Sequence, residues 1–103
     1  MILKYKDKLT TYLKIGNAEI LVPAKYYDII KTNINYSYYL MKKHSESNND
    51  SIINFSNINF PILGLKDKSV YRLNIITHSN YIECILYKDN TEYGYDKILY
   101  KGE

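Results

Sequence analysis

Residues 9–22 read Leu-Thr-Thr-Tyr-Leu-Lys-Ile-Gly-Asn-Ala-Glu-Ile-Leu-Val, and Pro23 follows them. Two β-prone runs flank Gly16-Asn17. A glycine at the first central position supplies the positive φ of a two-residue II′ turn, so this stretch predicts a β-hairpin. Pro23 stops the second strand and suits the first turn of a helix. From Ala24 the apolar period changes. Tyr27, Ile30, Ile34, Tyr38 and Met41 recur at steps of three and four, with Lys25, Asp28, Thr32 and Asn35 between them. That spacing predicts an amphipathic helix of about five turns, closing at Lys42-Lys43-His44, where positive charge complements the helix dipole. Asn33, Asn35 and Ser37 are poor helix formers and mark where it could break.

Outward from this core unit, residues 2–6 offer one more strand ahead of an Asp7-Lys8 turn. Residues 44–51 carry no apolar side chain and read as a polar linker, of which 45–51 would join the two halves of the chain. A second β-rich region follows. Residues 52–55 and 58–63 are short strand candidates. Residues 70–77 place Tyr71, Leu73 and Ile75 on one face, and residues 81–88 place Ile82, Cys84 and Leu86 on one face. His78-Ser79-Asn80 and Asp89-Asn90-Thr91 turn the chain, and residues 93–101 complete a meander. The order β-β-α-β-β-β-β predicts a single α+β domain over residues 1–103, in which an antiparallel sheet of about five to seven strands packs against one amphipathic helix.

Residues 2–15 and 62–75 share Ile-Leu-x-x-Lys-Asp-Lys-x-x-x-x-Leu-x-Ile, seven of fourteen positions without a gap. Each copy is followed by a turn signal and a strand holding Glu19 or Glu83, and later by Tyr27-Asp28 or Tyr95-Asp96. A duplicated β-hairpin unit, with halves 1–44 and 52–103, is one reading. Chance matching in a biased composition is the other.

The bias is large. Ile, Lys, Tyr and Asn together supply 52 of 103 residues, there is one Arg beside 13 Lys, and Trp and Gln are absent. All four favoured types have AT-rich codons, which weakens any argument from tyrosine or lysine abundance alone. Hydrophobic content of 46% and charge of 24% are those of a globular chain rather than a disordered one. A net charge of +3 is too mild for a dedicated nucleic-acid binder. The single cysteine, Cys84, excludes a disulfide-stapled scaffold. The longest uncharged run, residues 51–65, is short and is broken by Asn, Ser and Pro61, so no membrane span is expected. The first residues alternate apolar and charged and lack the apolar core of a signal peptide, which gives a cytoplasmic expectation.

No phosphate-binding loop, Cys-x-x-Cys or His-x-x-x-His is present, so neither cofactor nor metal is expected. His44 and His78 stand far apart. Cys84 alternates with Ile82 and Leu86 and reads as a core residue rather than a nucleophile. Pairs such as Glu92/Asp96 arise by chance among eleven carboxylates. A catalytic site is therefore not expected.

Lys4, Lys6 and Lys8 share a face if they lie in a strand. They could track a phosphate backbone, although edge-strand lysines that discourage strand pairing are the plainer reading. The tyrosines stand out more. Tyr36, Tyr38 and Tyr39 cluster late in the helix, and Tyr93, Tyr95 and Tyr100 cluster in the last strand. A regular strand puts Tyr93 and Tyr95 on one face. Tyrosine gives large contact area at low entropic cost, so Tyr36, Tyr39, Tyr93 and Tyr95, flanked by lysines, are the expected partner-binding residues.

In size and composition alone, with no motif behind it, the chain is similar to small orphan proteins of phages and archaeal viruses. Many of those block host proteins, anti-CRISPR inhibitors among them. The resemblance implies a non-enzymatic binding protein of a virus or mobile element that occupies a host protein. A nucleic-acid binder using Lys4, Lys6 and Lys8 with nearby tyrosines is the alternative. A homodimer whose tyrosines serve self-association is a third reading.

Overall fold

The computed structural model describes residues 3–6 by their backbone and residues 9–46 and 56–101 in full. Seven strands and one helix follow the expected order: β1 (Leu3–Lys6), β2 (Thr10–Ile15), β3 (Ala18–Pro23), α1 (Lys25–Glu46), β4 (Asn57–Ile62), β5 (Tyr71–Thr77), β6 (Tyr81–Lys88) and β7 (Thr91–Leu99). The architecture is α+β, and every strand pair is antiparallel. The strands divide into a three-stranded sheet β1-β2-β3 and a four-stranded sheet β4-β5-β6-β7. The helix separates the two in sequence.

The turns follow the local chemistry. Gly16 takes φ of 60°, as a II′ turn requires, and β2 and β3 pair from Ile15↔Ala18 to Thr10↔Pro23. Asp89 and Asn90 take φ of 50° and 66°, the left-handed pair of a I′ turn, between β6 and β7. Asp89 also holds the start of β5, since its Oδ1 accepts the Val70 amide at 2.9 Å.

The two sheets face each other, with β2 and β3 against β6 and β7, and α1 packs on β5 and β2. Burial alternates strictly. Thr11, Leu13 and Ile15 of β2, Ala18, Ile20 and Val22 of β3, Tyr71, Leu73, Ile75 and Thr77 of β5, and Ile82, Cys84 and Leu86 of β6 form the layer between them. Each large aliphatic fully buried here contributes roughly 1.5–3 kcal/mol of transfer free energy. The closest approach is at Gly94 in β7. A Cβ there would stand 2.3 Å from the Ile15 carbonyl and 2.7 Å from the Ala18 Cβ, and one on Gly16 would stand 2.3 Å from the Tyr95 carbonyl. Two glycines thus let the tip of the β2–β3 hairpin rest on β7, backbone against backbone.

The helix is unbroken through Asn33–Ser37 and continues to Glu46. Its inward face differs from the expected one. Ile30 and Met41 are buried as anticipated, but Tyr26, Ser37 and Leu40 join them, while Tyr27 is half-buried and Tyr38 is exposed. Two polar contacts set this rotation. Tyr26 Oη accepts the Leu63 amide at 3.3 Å, and the buried hydroxyls of Ser37 and Thr77 meet at 2.6 Å. A buried hydroxyl without a partner is costly, so the helix turns to bring this pair together.

The strand expected at 52–55 and most of the 45–51 linker lie outside the described residues; Ser45 and Glu46 belong to the helix. Where the two repeated stretches are described, Leu13 and Leu73, and Ile15 and Ile75, are buried in equivalent fashion. The correspondence extends to Glu19-Ile20 of β3 and Glu83-Cys84 of β6, and ends where Tyr27-Asp28 is helical and Tyr95-Asp96 is in a strand.

Candidate functional site

The strands that bury their odd or even residues must present the others. On the four-stranded sheet, register sets these in rows: Arg72, Tyr87 and Glu92; Asn74, Ile85 and Tyr95; Ile76, Glu83 and Lys97; then Tyr81 and Leu99. No described element packs over this outer face. Tyr95 is 41% and Leu99 60% exposed, and Tyr81, Ile85, Tyr87 and Ile76 are half-buried.

The face is braced internally. Arg72 lies 4.2 Å from the centre of the Tyr87 ring, and Lys97 lies 4.4 Å from that of Tyr81. His78 stacks on the same Tyr81 ring, with ring centres 4.1 Å apart. Glu83 is the hub. Its carboxylate takes a 2.6 Å hydrogen bond with His78 Nε2 and accepts one from the Tyr95 hydroxyl at 2.9 Å. Those two bonds, His78 first, hold the Glu83 carboxyl below its ordinary range, and the same bond raises the Tyr95 hydroxyl. Arg72 and Lys97 are matched by Glu83 and Glu92, so the face is aromatic and close to neutral rather than basic.

A second concavity of about 260 Å³ opens between the sheets, walled by Tyr12, Ile20 and Leu21 on one side and by Leu65, Tyr71 and Tyr93 on the other. The Tyr71 hydroxyl donates to Asp67 at 2.9 Å. Burial, with that carboxylate beside it, pushes the Tyr71 hydroxyl up to about 12. Lys88 stands 3.6 Å from the Asp67 carboxylate and 4.9 Å from the centre of the Tyr93 ring. Beside this cleft Asp67 and Lys88 thus satisfy each other within the chain.

The expected site residues are dispersed. Tyr36 and Tyr39 stack at 6.2 Å on the solvent side of α1, where Lys43 covers Tyr39 at 5.8 Å. Tyr93 and Tyr95 do not share a face. The β6–β7 register shifts between Leu86↔Gly94 and Tyr87↔Glu92, so the extra residue, Tyr93, turns inward to meet Tyr71 at 6.1 Å while Tyr95 stays outward. A β-bulge of this kind breaks the period-two rule on which the expectation rested. Lys8 and the side chains of Lys4 and Lys6 lie outside the described residues. Tyr81, Tyr87, Leu99 and Glu83 were not anticipated. The period-two pattern of residues 81–88 could have found three of them, because the complement of its buried face is Tyr81, Glu83, Ile85 and Tyr87.

Cys84 points into the core and His78 lies on the opposite face, so the two do not form a nucleophile and base. Burial pushes the Cys84 thiol up to about 12. Among the described residues no three His, Cys, Asp or Glu side chains gather as metal ligands, and no helix is long and apolar enough to cross a membrane. No family model, curated protein or solved structure matches this chain.

Proposed function

We propose that the protein is a non-enzymatic binding protein whose docking surface is the outer face of the four-stranded sheet. The carrying observation is that Tyr81, Tyr87, Tyr95, Ile85 and Leu99 form one contiguous aromatic and aliphatic face with no described element over it. Contiguous apolar surface of this kind is characteristic of interaction sites, and rigid tyrosines pinned by cation–π and hydrogen-bond contacts lose little entropy on docking. Near neutrality favours a protein partner with an apolar, weakly charged patch over a nucleic acid, whose backbone demands net positive charge. On size and composition we place the protein among small viral or mobile-element proteins that act by occupying a host protein.

The test is a paired set of variants. Tyr81→Ser/Leu99→Ser should abolish recovery of the stoichiometric partner captured by the wild type, while circular dichroism and the melting curve stay close to wild type. Tyr36→Ala/Tyr39→Ala should retain it. If the helix variant loses the partner and the sheet variant keeps it, the sheet face is the wrong surface. Retention of labelled RNA or DNA that weakens steeply with salt would favour the nucleic-acid reading instead.

A further inference from the structure

We propose that the second half of β7 is a dimerisation edge, on which two copies of this chain pair β7 to β7, antiparallel, about a two-fold axis at Ile98. The four-stranded sheets would then join into one sheet of eight strands, with the outer faces continuous.

β7 is the last strand of its sheet, and no described strand lies beyond it. Three contacts fix which of its backbone groups face outward. The Lys97 amide donates to the carboxylate of Asp96 at 3.1 Å instead of to β6. The Tyr100 amide donates to Asn80 at 2.9 Å, so residues of its parity face β6. Tyr81 accepts from the His78 amide at 2.8 Å, so its carbonyl points to β5, and its partner Leu99 is not hydrogen-bonded to it. Tyr95, Lys97 and Leu99 therefore direct their N–H and C=O groups away from the sheet, as alternate residues of an antiparallel ladder must.

The first half of the edge is closed. Tyr93 is bulged, and the hairpin tip at Gly16 lies against the Tyr95 carbonyl. From Asp96 onward no described strand covers the edge. Beside it runs a groove of about 510 Å³ between Tyr38 of α1 and residues 96–101. Tyr38 and Leu99 are exposed there, at 37% and 60%.

Charge selects the occupant's register. An added antiparallel strand must set outward-facing residues opposite outward-facing ones. For a second copy this leaves axes at Lys97, Ile98 or Leu99. An axis at Lys97 places Lys97 opposite Lys97. An axis at Leu99 places Lys97 opposite Lys101 twice. Like charges directly opposite destabilise a ladder. The axis at Ile98 avoids both, setting Lys97 opposite Leu99 and Asp96 opposite Tyr100, with the ladder ending before Tyr95, which the hairpin tip covers. Lys97 and Leu99 then exchange two hydrogen bonds at each end of the pair, and the inward side chains Ile98 and Tyr100, each packed on its own core, meet those of the other copy beside the Tyr38 groove. Asp96 releases the Lys97 amide when the second strand arrives.

Disulfide trapping reads the register directly. Residues facing each other across the axis form a non-hydrogen-bonded pair, with Cα atoms about 4.5 Å apart, within disulfide range. Under mild oxidation Ile98→Cys should form a covalent dimer, while Lys97→Cys and Leu99→Cys should each stay monomeric alone and cross-link when mixed. The mixed pair keeps the test valid if the half-buried Ile98→Cys variant is unstable. Lys97→Pro removes no ladder hydrogen bond, only the outward amide's local bond to Asp96 and the cation over Tyr81, so it should fold and dimerise at least tenfold more weakly by sedimentation equilibrium. A monomer throughout from about 10 µM to about 1 mM would overturn the proposal. Self-cross-linking of Lys97→Cys or Leu99→Cys in preference to Ile98→Cys would overturn it as well. Capture of a foreign extended peptide on β7 by a chain that never self-associates would assign the edge to another partner. None of these outcomes depends on the outer-face reading.

Discussion

The two faces of the four-stranded sheet are built from the same strands by one alternation, yet they are different materials. The inner face carries Leu73, Ile75, Ile82, Cys84 and Leu86, each fully buried, and meets the other sheet so closely that Gly94 has no room for a Cβ. The outer face carries Tyr81, Ile85, Tyr87 and Tyr95, held by cations, a histidine and one glutamate. Aliphatics close the core because they pack densely without polar atoms to satisfy. Tyrosines sit where one edge can stay wet. Three of the thirteen tyrosines, Tyr81, Tyr87 and Tyr95, are thus brought by parity onto one face that nothing in the described chain covers.

The sharpest way to break this contrast is at Gly94. Gly94→Val must push the Ile15 carbonyl and Ala18 aside, because the obstructing atoms include backbone, and should cost more than about 3 kcal/mol in urea unfolding or prevent folding. Next come neighbours on opposite faces. Leu86→Ala should cost about 2–5 kcal/mol, whereas Tyr87→Ala, one residue on, should cost no more than about 1 kcal/mol. Equal losses would mean that the outer face is also structural core. A smaller effect should come from the buried hydroxyl pair. Ser37→Ala, which orphans the Thr77 hydroxyl, should cost about 1–2 kcal/mol, Thr77→Val less because the Ser37 hydroxyl keeps its bond to the Asn33 carbonyl, and the double variant less than their sum. An additive cycle would show that this pair does not set the helix rotation.

The smallest expected effect is electrostatic. A carboxyl held below its ordinary value, 4.5 for glutamate, stabilises the fold above that value and loses the contribution as pH falls through the lowered one. Wild type should therefore lose more stability than Glu83→Gln between about pH 6 and about pH 2.5, by under about 0.5 kcal/mol since solvent screens the group. Parallel stability curves would remove Glu83 as the hub of the face.

Most of the architecture is legible wherever local chemistry and pattern agree. Gly16-Asn17 announces its turn, Pro23 separates strand from helix, and the alternations through residues 71–77 and 81–88 give their buried faces correctly. The failures share a cause. Helix rotation depends on Ser37 meeting Thr77, forty residues away, which no periodicity contains. The position of Tyr93 depends on a bulge whose sole local sign is a glycine inside a strand. The division into two sheets depends on which strands pair across the helix. The candidate surface was half legible, since tyrosine surplus was evident but clustering by nearness in sequence joined residues that the fold separates.

The hairpin tip resting on β7 has a kinetic consequence. Residues 16 and 94–95 must meet before the layer between the sheets is sealed, so the first hairpin cannot complete its packing until the last strand has been made. Such distant closure slows folding, because the entropy of closing the long loop is lost before the contact forms. During synthesis Leu13, Ile15, Ile20 and Val22 wait with their apolar face open, which makes the nascent protein, rather than the finished one, the form most exposed to aggregation.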